Sequence, residues 1–217
     1  MAQMVYSPEA FNVDTMDKAR QMSVLAGSEM RESVRWGDEI NFLCDTMARE
    51  LMLRKGDLIL DYGCGVGRLA KRLCELGCDV LGVDISPAMR RYAVEYVNAP
   101  GRFVAFSPEE LLLMVGKGLR CDHALVAWML QHSPNVYMDI SIISRTLKGL
   151  GGLLVADNRK MRLVPVQGEN PWCNDNFDIW RQLELQFGIR SNTAYPGNWG
   201  ADPSKIMIRS YMKTTNQ

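Results

Sequence analysis

Several absences bound this 217-residue chain before any motif does. It has no excess charge of either sign, 25 Lys plus Arg against 25 Asp plus Glu. No overall field therefore concentrates nucleic acid or an anionic membrane on it, and no nucleic-acid partner is expected. No apolar run reaches transmembrane length and no signal-peptide pattern is present, so neither a membrane partner nor secretion is expected. The six cysteines, at 44, 64, 74, 78, 121 and 173, form no C-x-x-C pair and no paired-ligand spacing. They read as reduced thiols of a cytoplasmic protein, with Cys74, Cys78 and Cys121 as small core hydrophobes. Histidine is scarce, His123 and His132 alone, and no internal repeat or low-complexity tract interrupts the chain. The length suits one well-buried domain and is too short to presume two.

What is present is orderly. Residues 1–13 read as an N-terminal arm, and 14–26 as a helix carrying Met16, Ala19, Met22 and Ala26. A longer helix places Ile40, Leu43, Cys44, Met47 and Leu51 on one face before Gly56 stops it. These segments, 1–55, are expected to form a helical cover over a core at 56–217. From there strands and helices alternate: a strand into Asp61, helix 67–76, a strand into Asp84, then RFVAF, CDHALVAWML and GLLVADN as further strands. Ser86-Pro87, Ser107-Pro108 and Ser133-Pro134 each read as an N-cap with proline at the first helical position, and Ser107 with Glu110 fits a capping box. Repeated strand–helix units imply right-handed crossovers and a doubly wound, mostly parallel seven-stranded α/β sheet with helices on both faces. Residues 159–176 read as a long loop, 177–187 as a helix, and Ile189–Tyr195 with Lys205–Lys213 as an antiparallel C-terminal hairpin.

The chemistry gathers where the strands end, which is where such sheets bind ligands. Asp61, Gly63, Cys64, Gly65 and Gly67 form D-x-G-x-G-x-G between the first strand and a helix. Glycines permit positive φ and close approach of a ligand to the backbone, and the helix start offers free N–H groups. The dinucleotide fingerprint G-x-G-x-x-G fails, because Arg68 stands where its third glycine belongs. Asp84 ends the second strand, where a carboxylate can accept both hydroxyls of a ribose. His132, at the mouth of the fourth strand, is the candidate general base, with a structural role as its alternative; Asp157 and Glu169 are weaker candidates. His123 reads as packing.

Over residues 57–158 the sequence resembles the class I S-adenosylmethionine-dependent methyltransferases. The resemblance implies S-adenosyl-L-methionine as cofactor and S-adenosyl-L-homocysteine as product. It implies Asp61 near the methionine amino group, the glycines around the methionine and ribose, Asp84 on the ribose, and Ile85 and Met89 beside the adenine. Ala127 and Trp128 would line the methionine portion, and Trp36 and Arg35 would either contact ligand or pack in the core. Ser107 stands where many relatives carry an adenine-binding Asp, a departure that shifts the expectation to Ser107 itself, the Leu111 backbone or Glu109.

The [DNS]-P-P-[YFW] loop of base amino-methyltransferases is replaced by Ala127-Trp128-Met129-Leu130, and no Pro-Cys nucleophile loop follows. Asp157-Asn158 resembles the metal-binding pair of catechol-type enzymes, but their third ligand falls at Ala127, so no metal is expected. The expected activity is methyl transfer to O or N of a small organic acceptor by in-line attack. The alternatives are a non-catalytic cofactor-binding partner subunit, a protein-directed methyltransferase, and, less favoured, a nicotinamide oxidoreductase.

Overall fold

The computed structural model describes residues 5–23, 34, 36–160, 162–168, 172–175, 177–199 and 202–214, and among these described residues nine strands and seven α-helices carry the chain. Arg35 and Glu169 lie outside the described residues. The strands are β1 (Leu58–Tyr62), β2 (Asp79–Val83), β3 (Phe103–Phe106), β4 (Cys121–Ala127), β5 (Leu147–Asn158), β6 (Arg162–Pro165), β7 (Trp172–Asp175), β8 (Phe187–Thr193) and β9 (Ile206–Lys213). The helices are α1 (Met16–Met22), α2 (Asp38–Leu51), α3 (Arg68–Glu75), α4 (Pro87–Val97), α5 (Pro108–Gly116), α6 (Val136–Thr146) and α7 (Ile179–Glu184). Seven strands form one sheet in the order β3-β2-β1-β4-β5-β9-β8, with β9 antiparallel to both of its neighbours. Strand order reverses between β1 and β4, so their carboxyl ends border the crevice that a doubly wound sheet leaves open.

Period-two alternation along β1 divides the core. Leu60 and Tyr62 face α5, α6 and α7, packing with Leu111, Ile140, Ile143 and Leu183. Ile59 faces α2 and α3, with Leu43, Met47, Leu69 and Leu73. Each fully buried aliphatic side chain of this kind contributes roughly 1.5–3 kcal/mol relative to exposure. Among the described residues no helix is long and apolar enough to cross a membrane.

Two of the three Ser-Pro junctions cap helices as the sequence implies. Ser86 Oγ accepts the Met89 N–H at 3.2 Å, and Ser107 with Glu110 completes a capping box on α5. The third does not: Asn135 caps α6, accepting the Met138 N–H at 3.2 Å. Ser133 is drawn off because its hydroxyl accepts the Asn135 N–H at 3.0 Å and donates to Asp139.

Other boundaries also move. β4 stops at Ala127 because Trp128 takes φ +59°, and the chain turns into a short 3-10 helix at Leu130–His132. α6 ends at Thr146 and β5 begins at Leu147, ahead of the glycines, with a register shift between Cys121 and His123 absorbing the extra residues. Met52 at φ 55°, rather than Gly56, terminates α2. β8 covers Phe187–Thr193, slightly ahead of the expected strand, and α7 covers only Ile179–Glu184. The expected loop at 159–176 contains an antiparallel hairpin, β6–β7, paired from Arg162–Asp175 to Pro165–Trp172. The N-terminal arm pairs with the chain just beyond it: Tyr6 bridges Val166, Ser7 N–H donates to Pro165 O at 3.0 Å, and Gln167 N–H donates to Val5 O at 2.9 Å.

Candidate active site

A cavity of about 430 Å³ opens over the carboxyl ends of β1, β2 and β4, at the reversal of strand order. Its floor is the glycine loop. Gly63, Gly65 and Gly67 all have positive φ, +85°, +53° and +78°. A Cβ on Gly63 would come within 2.3 Å of Met129 Cγ, and one on Gly67 within 2.5 Å of Val97 Cγ2, so side chains are excluded by space as well as by conformation. Gly63 and Cys64 both donate to Val83 O, at 2.7 and 2.9 Å, which straps the loop to the end of β2.

Asp61 is 2% exposed beneath this loop, and its Oδ2 has no hydrogen-bond partner among the described residues. Burial pushes its carboxyl up to about 7, opposed by Arg68 and assisted by the charge of Asp84. A buried carboxylate oxygen without a partner, facing a cavity, needs a donor or cation from a ligand. Asp84 is prepared differently. Its Oδ2 accepts Gly65 N–H at 2.9 Å and its Oδ1 accepts Ser86 N–H at 2.9 Å, which fixes the carboxylate plane and leaves a further lone pair on each oxygen. Burial raises its carboxyl, while those two N–H groups and Arg90 act against the rise.

Ile85 and Met89 line the cavity beside Asp84, and Pro108 and Glu109 at the start of α5 line it too. Ala127 and Trp128 form the wall from β4. Positive φ is strained for a bulky residue such as Trp128 and persists because its surroundings hold it. Trp128 N–H donates to Ala156 O at 2.8 Å, and its ring meets Tyr195 edge-on at 5.9 Å.

Three expected residues do not reach the cavity lining. Ser107 is consumed by the capping box. Gly67 turns the loop into α3 beneath Val97. Trp36 packs edge-on against Tyr96 at 5.5 Å with the Arg20 guanidinium 4.7 Å from its ring, which is a core role.

His132 lines the cavity with both ring nitrogens engaged. Nδ1 lies 2.7 Å from Leu163 O and must carry the proton, because a carbonyl only accepts. Nε2 then holds the lone pair and receives the Gln131 amide at 3.1 Å. The Asn158 amide donates to Gln131 Oε1, which fixes the orientation of the Gln131 side chain. Burial lowers the His132 pKa, so the ring is neutral at pH 7. Asp157 is fully buried, and its carboxylate accepts Gln131 N–H at 3.2 Å and Asn158 N–H at 2.8 Å. It braces the His132 turn and does not line the cavity.

Several lining residues carried no sequence signal. Tyr62 reaches the opposite side of β1 from Asp61, donating to Asp139 Oδ1 at 2.6 Å, and Ser133 donates to the other Asp139 oxygen. The alternation of β1 could have placed Tyr62 there. Tyr6 and Phe11 come from the arm, which has no periodicity to read. Phe11 meets His132 at 5.6 Å and Trp172 at 6.3 Å, so arm, hairpin and His132 turn share one aromatic cluster.

The donor set fits S-adenosylmethionine: an acidic oxygen without a partner among the described residues for an ammonium, a pre-oriented carboxylate for two hydroxyls, and a floor of positive-φ glycines in which Gly63 has no room for a Cβ. A family model described as methyltransferase domain matches residues 60–155. The chain is 29% identical over 156 residues to the ubiquinone biosynthesis O-methyltransferase of Azorhizobium caulinodans, a match covering 65% of this chain and 60% of that protein. The chain thus spans less than two thirds of the length of the curated relatives it matches. Among solved structures, the N-methyltransferase NodS of Bradyrhizobium japonicum, in complex with S-adenosyl-L-homocysteine, superposes with TM-score 0.63 at 12% identity, covering 92% of this chain and 99% of that one. Magnesium protoporphyrin IX methyltransferase of Synechocystis, with the same ligand bound, gives TM-score 0.62 at 17% identity, covering 95% and 98%. These likenesses show the fold, and the matched domain spans the glycine loop between Asp61 and Asp84, so that over this stretch the chain is similar to the class I S-adenosylmethionine-dependent methyltransferases.

Proposed function

We propose that the chain binds S-adenosylmethionine in this cavity and methylates an oxygen or nitrogen of a small, largely apolar acceptor without a metal, as a core at 56–217 under a cover at 1–55. The observation that carries the reading is the buried Asp61 Oδ2, left without a partner among the described residues beneath three positive-φ glycines. When bound, the cofactor supplies an electrophilic methyl on a sulfonium, which an acceptor lone pair attacks in line. Asp61 meets the ammonium of its amino-acid end. Asp84 accepts the two ribose hydroxyls, and Ile85 with Met89 flanks the base, Glu109 taking the place of the missing adenine-binding Asp. Tyr6, Phe11, Met129 and Trp128 wall the remaining space with apolar surface, which excludes water and holds the acceptor close. His132, neutral and with its lone pair at Nε2, takes a proton from a hydroxyl acceptor once the Gln131 amide gives way. The name of the Azorhizobium relative, an O-methyltransferase, supports oxygen as the methylated atom.

Calorimetry with S-adenosylmethionine and S-adenosylhomocysteine tests the cofactor. Absence of heat at about millimolar ligand, or equal binding by Asp84→Ala, sinks it, since two charged hydrogen bonds are together worth roughly 3 kcal/mol or more. One observation favours a second reading, a non-catalytic partner subunit: both His132 nitrogens are already engaged. Methyl transfer inhibited by S-adenosylhomocysteine, with any acceptor, rules that out.

A further inference from the structure

We propose that Gln131 is a positioning residue for His132: its side-chain amide, pinned between the Trp128 carbonyl and Asn158, caps the Nε2 lone pair and keeps the ring an uncharged hydrogen-bond acceptor inside the cavity. The inference deepens the role given to His132 above and rests on that reading for its purpose, though not for its test.

Backbone groups fix the amide. Gln131 is fully buried, and its own N–H is held by Asp157 Oδ2 at 3.2 Å. The side-chain Nε2 lies 3.3 Å from Trp128 O; a carbonyl only accepts, so the amide nitrogen and not the oxygen must stand on that side. That carbonyl belongs to the strained residue at φ +59°, and strain of this kind gathers at functional sites. The same amide nitrogen stands 3.1 Å from His132 Nε2, while Gln131 Oε1 accepts the Asn158 amide. Trp180 Nε1 donates to Asn158 O at 2.9 Å, which anchors the far end of the chain of bonds to α7.

Across the ring, Nδ1 meets Leu163 O at 2.7 Å, a second group that only accepts. The imidazole is therefore clamped between a donor at Nε2 and an acceptor at Nδ1, and the neutral Nδ1–H tautomer alone satisfies both. An imidazolium would set its Nε2–H against the Gln131 N–H, and hydrogen bonding to the neutral form of a base disfavours the charged one. Burial acts in the same direction. The ionisable groups packed around the turn have other partners: Asp157 takes the Gln131 and Asn158 N–H groups, Asp139 of α6 takes Tyr62 and Ser133, and Arg162 of β6 donates to Ser133 O. The rings of Phe11 and Trp172, which also face His132, carry no charge. The purpose follows from the reading above. A cation on His132 would repel a sulfonium in the same cavity and would leave no lone pair for an acceptor proton.

The test is multiple-bond proton–nitrogen NMR of the full, nitrogen-labelled chain, which reads its two histidine rings without cofactor or acceptor. His123 is an internal contrast: its Nδ1 accepts Gly152 N–H at 3.2 Å, so its proton sits on Nε2, and His123→Gln assigns the two rings. Wild-type His132 is expected as the Nδ1–H tautomer, titrating below the ordinary value of 6.5. Gln131→Glu exchanges the donor for a carboxylate that only accepts, and His132 should become an imidazolium near neutral pH, titrating above that value. Gln131→Met keeps the volume without the amide, so the Nε2 resonance should move to that of an unbonded lone pair; this arm holds even if the buried carboxylate prevents folding. An Nε2–H tautomer at His132, an Nε2 resonance unchanged in Gln131→Met, or a neutral ring in folded Gln131→Glu overturns the inference. Calorimetry of the same wild-type sample with S-adenosylhomocysteine separates the two readings. Binding alongside any of those results leaves the cofactor reading standing, whereas the expected spectra without binding overturn that reading and leave the clamp in place.

Discussion

The pH dependence of cofactor affinity follows from the Asp61 carboxyl. In the free protein burial holds it near a pKa of about 7, so at neutral pH it is half protonated. A ligand ammonium set against its unpartnered oxygen favours the ionised form, and binding below that pKa must therefore expel a proton. The ionised fraction falls from roughly nine-tenths at about pH 8 to one-tenth at about pH 6. Affinity for S-adenosylhomocysteine should weaken about tenfold over that interval, or about 1.4 kcal/mol. Calorimetry in two buffers of different ionisation enthalpy counts the proton directly: about one released at the acid end, almost none at the alkaline end. Asp61→Asn should bind more weakly and lose most of the slope, and what slope remains reports Asp84, which burial also raises. The sign for stability is opposite. A carboxyl raised in the folded state destabilises the free protein as pH rises from the ordinary value of 3.8 through about 7, so Asp61 favours folding most in acid. Asp157, also pushed up to about 7 by burial, shares that stability slope but faces backbone N–H groups and leaves affinity untouched. A dissociation constant independent of pH across the interval, with no proton released, would refute the reasoning.

Two further outcomes test the architecture. Gly63→Ala must hold alanine at φ +85° and move Met129, whose Cγ lies 2.3 Å from the new Cβ; at roughly 1–2 kcal/mol for the backbone and about 1–3 for overpacking, the melting temperature should fall by about 5–15 °C, and a change below about 1 °C refutes the contact. Arg68, 6% exposed, pairs with the fully buried Glu39 at 2.9 Å, and Glu39 also accepts the Tyr195 hydroxyl at 2.6 Å. Arg68→Met removes a buried cation from beside that carboxylate and should destabilise the fold by about 3–5 kcal/mol in chemical denaturation, most of it recovered in the double variant with Glu39→Met.

The cavity is also selective by charge. Asp61, Asp84, Glu109 and Asp139 line it, with Arg68 as the one Lys or Arg among the described lining residues, bonded to Glu39. Such a surface favours a ligand bearing positive charge and disfavours an anionic acceptor beside it.

How much of this was legible in the sequence follows the same division. The glycine-loop side of the cavity was, because its residues fall at fixed offsets within one strand–loop–helix unit: Asp61 and the glycines, then Asp84 one strand later, with Ser86 and Ser107 caps locating the junctions. The errors began where side chains compete for local partners. Ser133 looks like a cap but is bound to Asp139, and Trp128 looks like a strand residue but turns the chain at φ +59°. The opposite side was hardest to read, because three segments distant in sequence meet there: the arm with Tyr6 and Phe11, the turn with His132, and the hairpin with Trp172. What joins arm to hairpin is main-chain bonding between Val5–Ser7 and Pro165–Gln167, and backbone N–H and C=O groups are the same in every residue but proline. Pairing of that kind leaves no pattern of side-chain types in either segment, so the residues on that side of the cavity became visible only once the chain was folded.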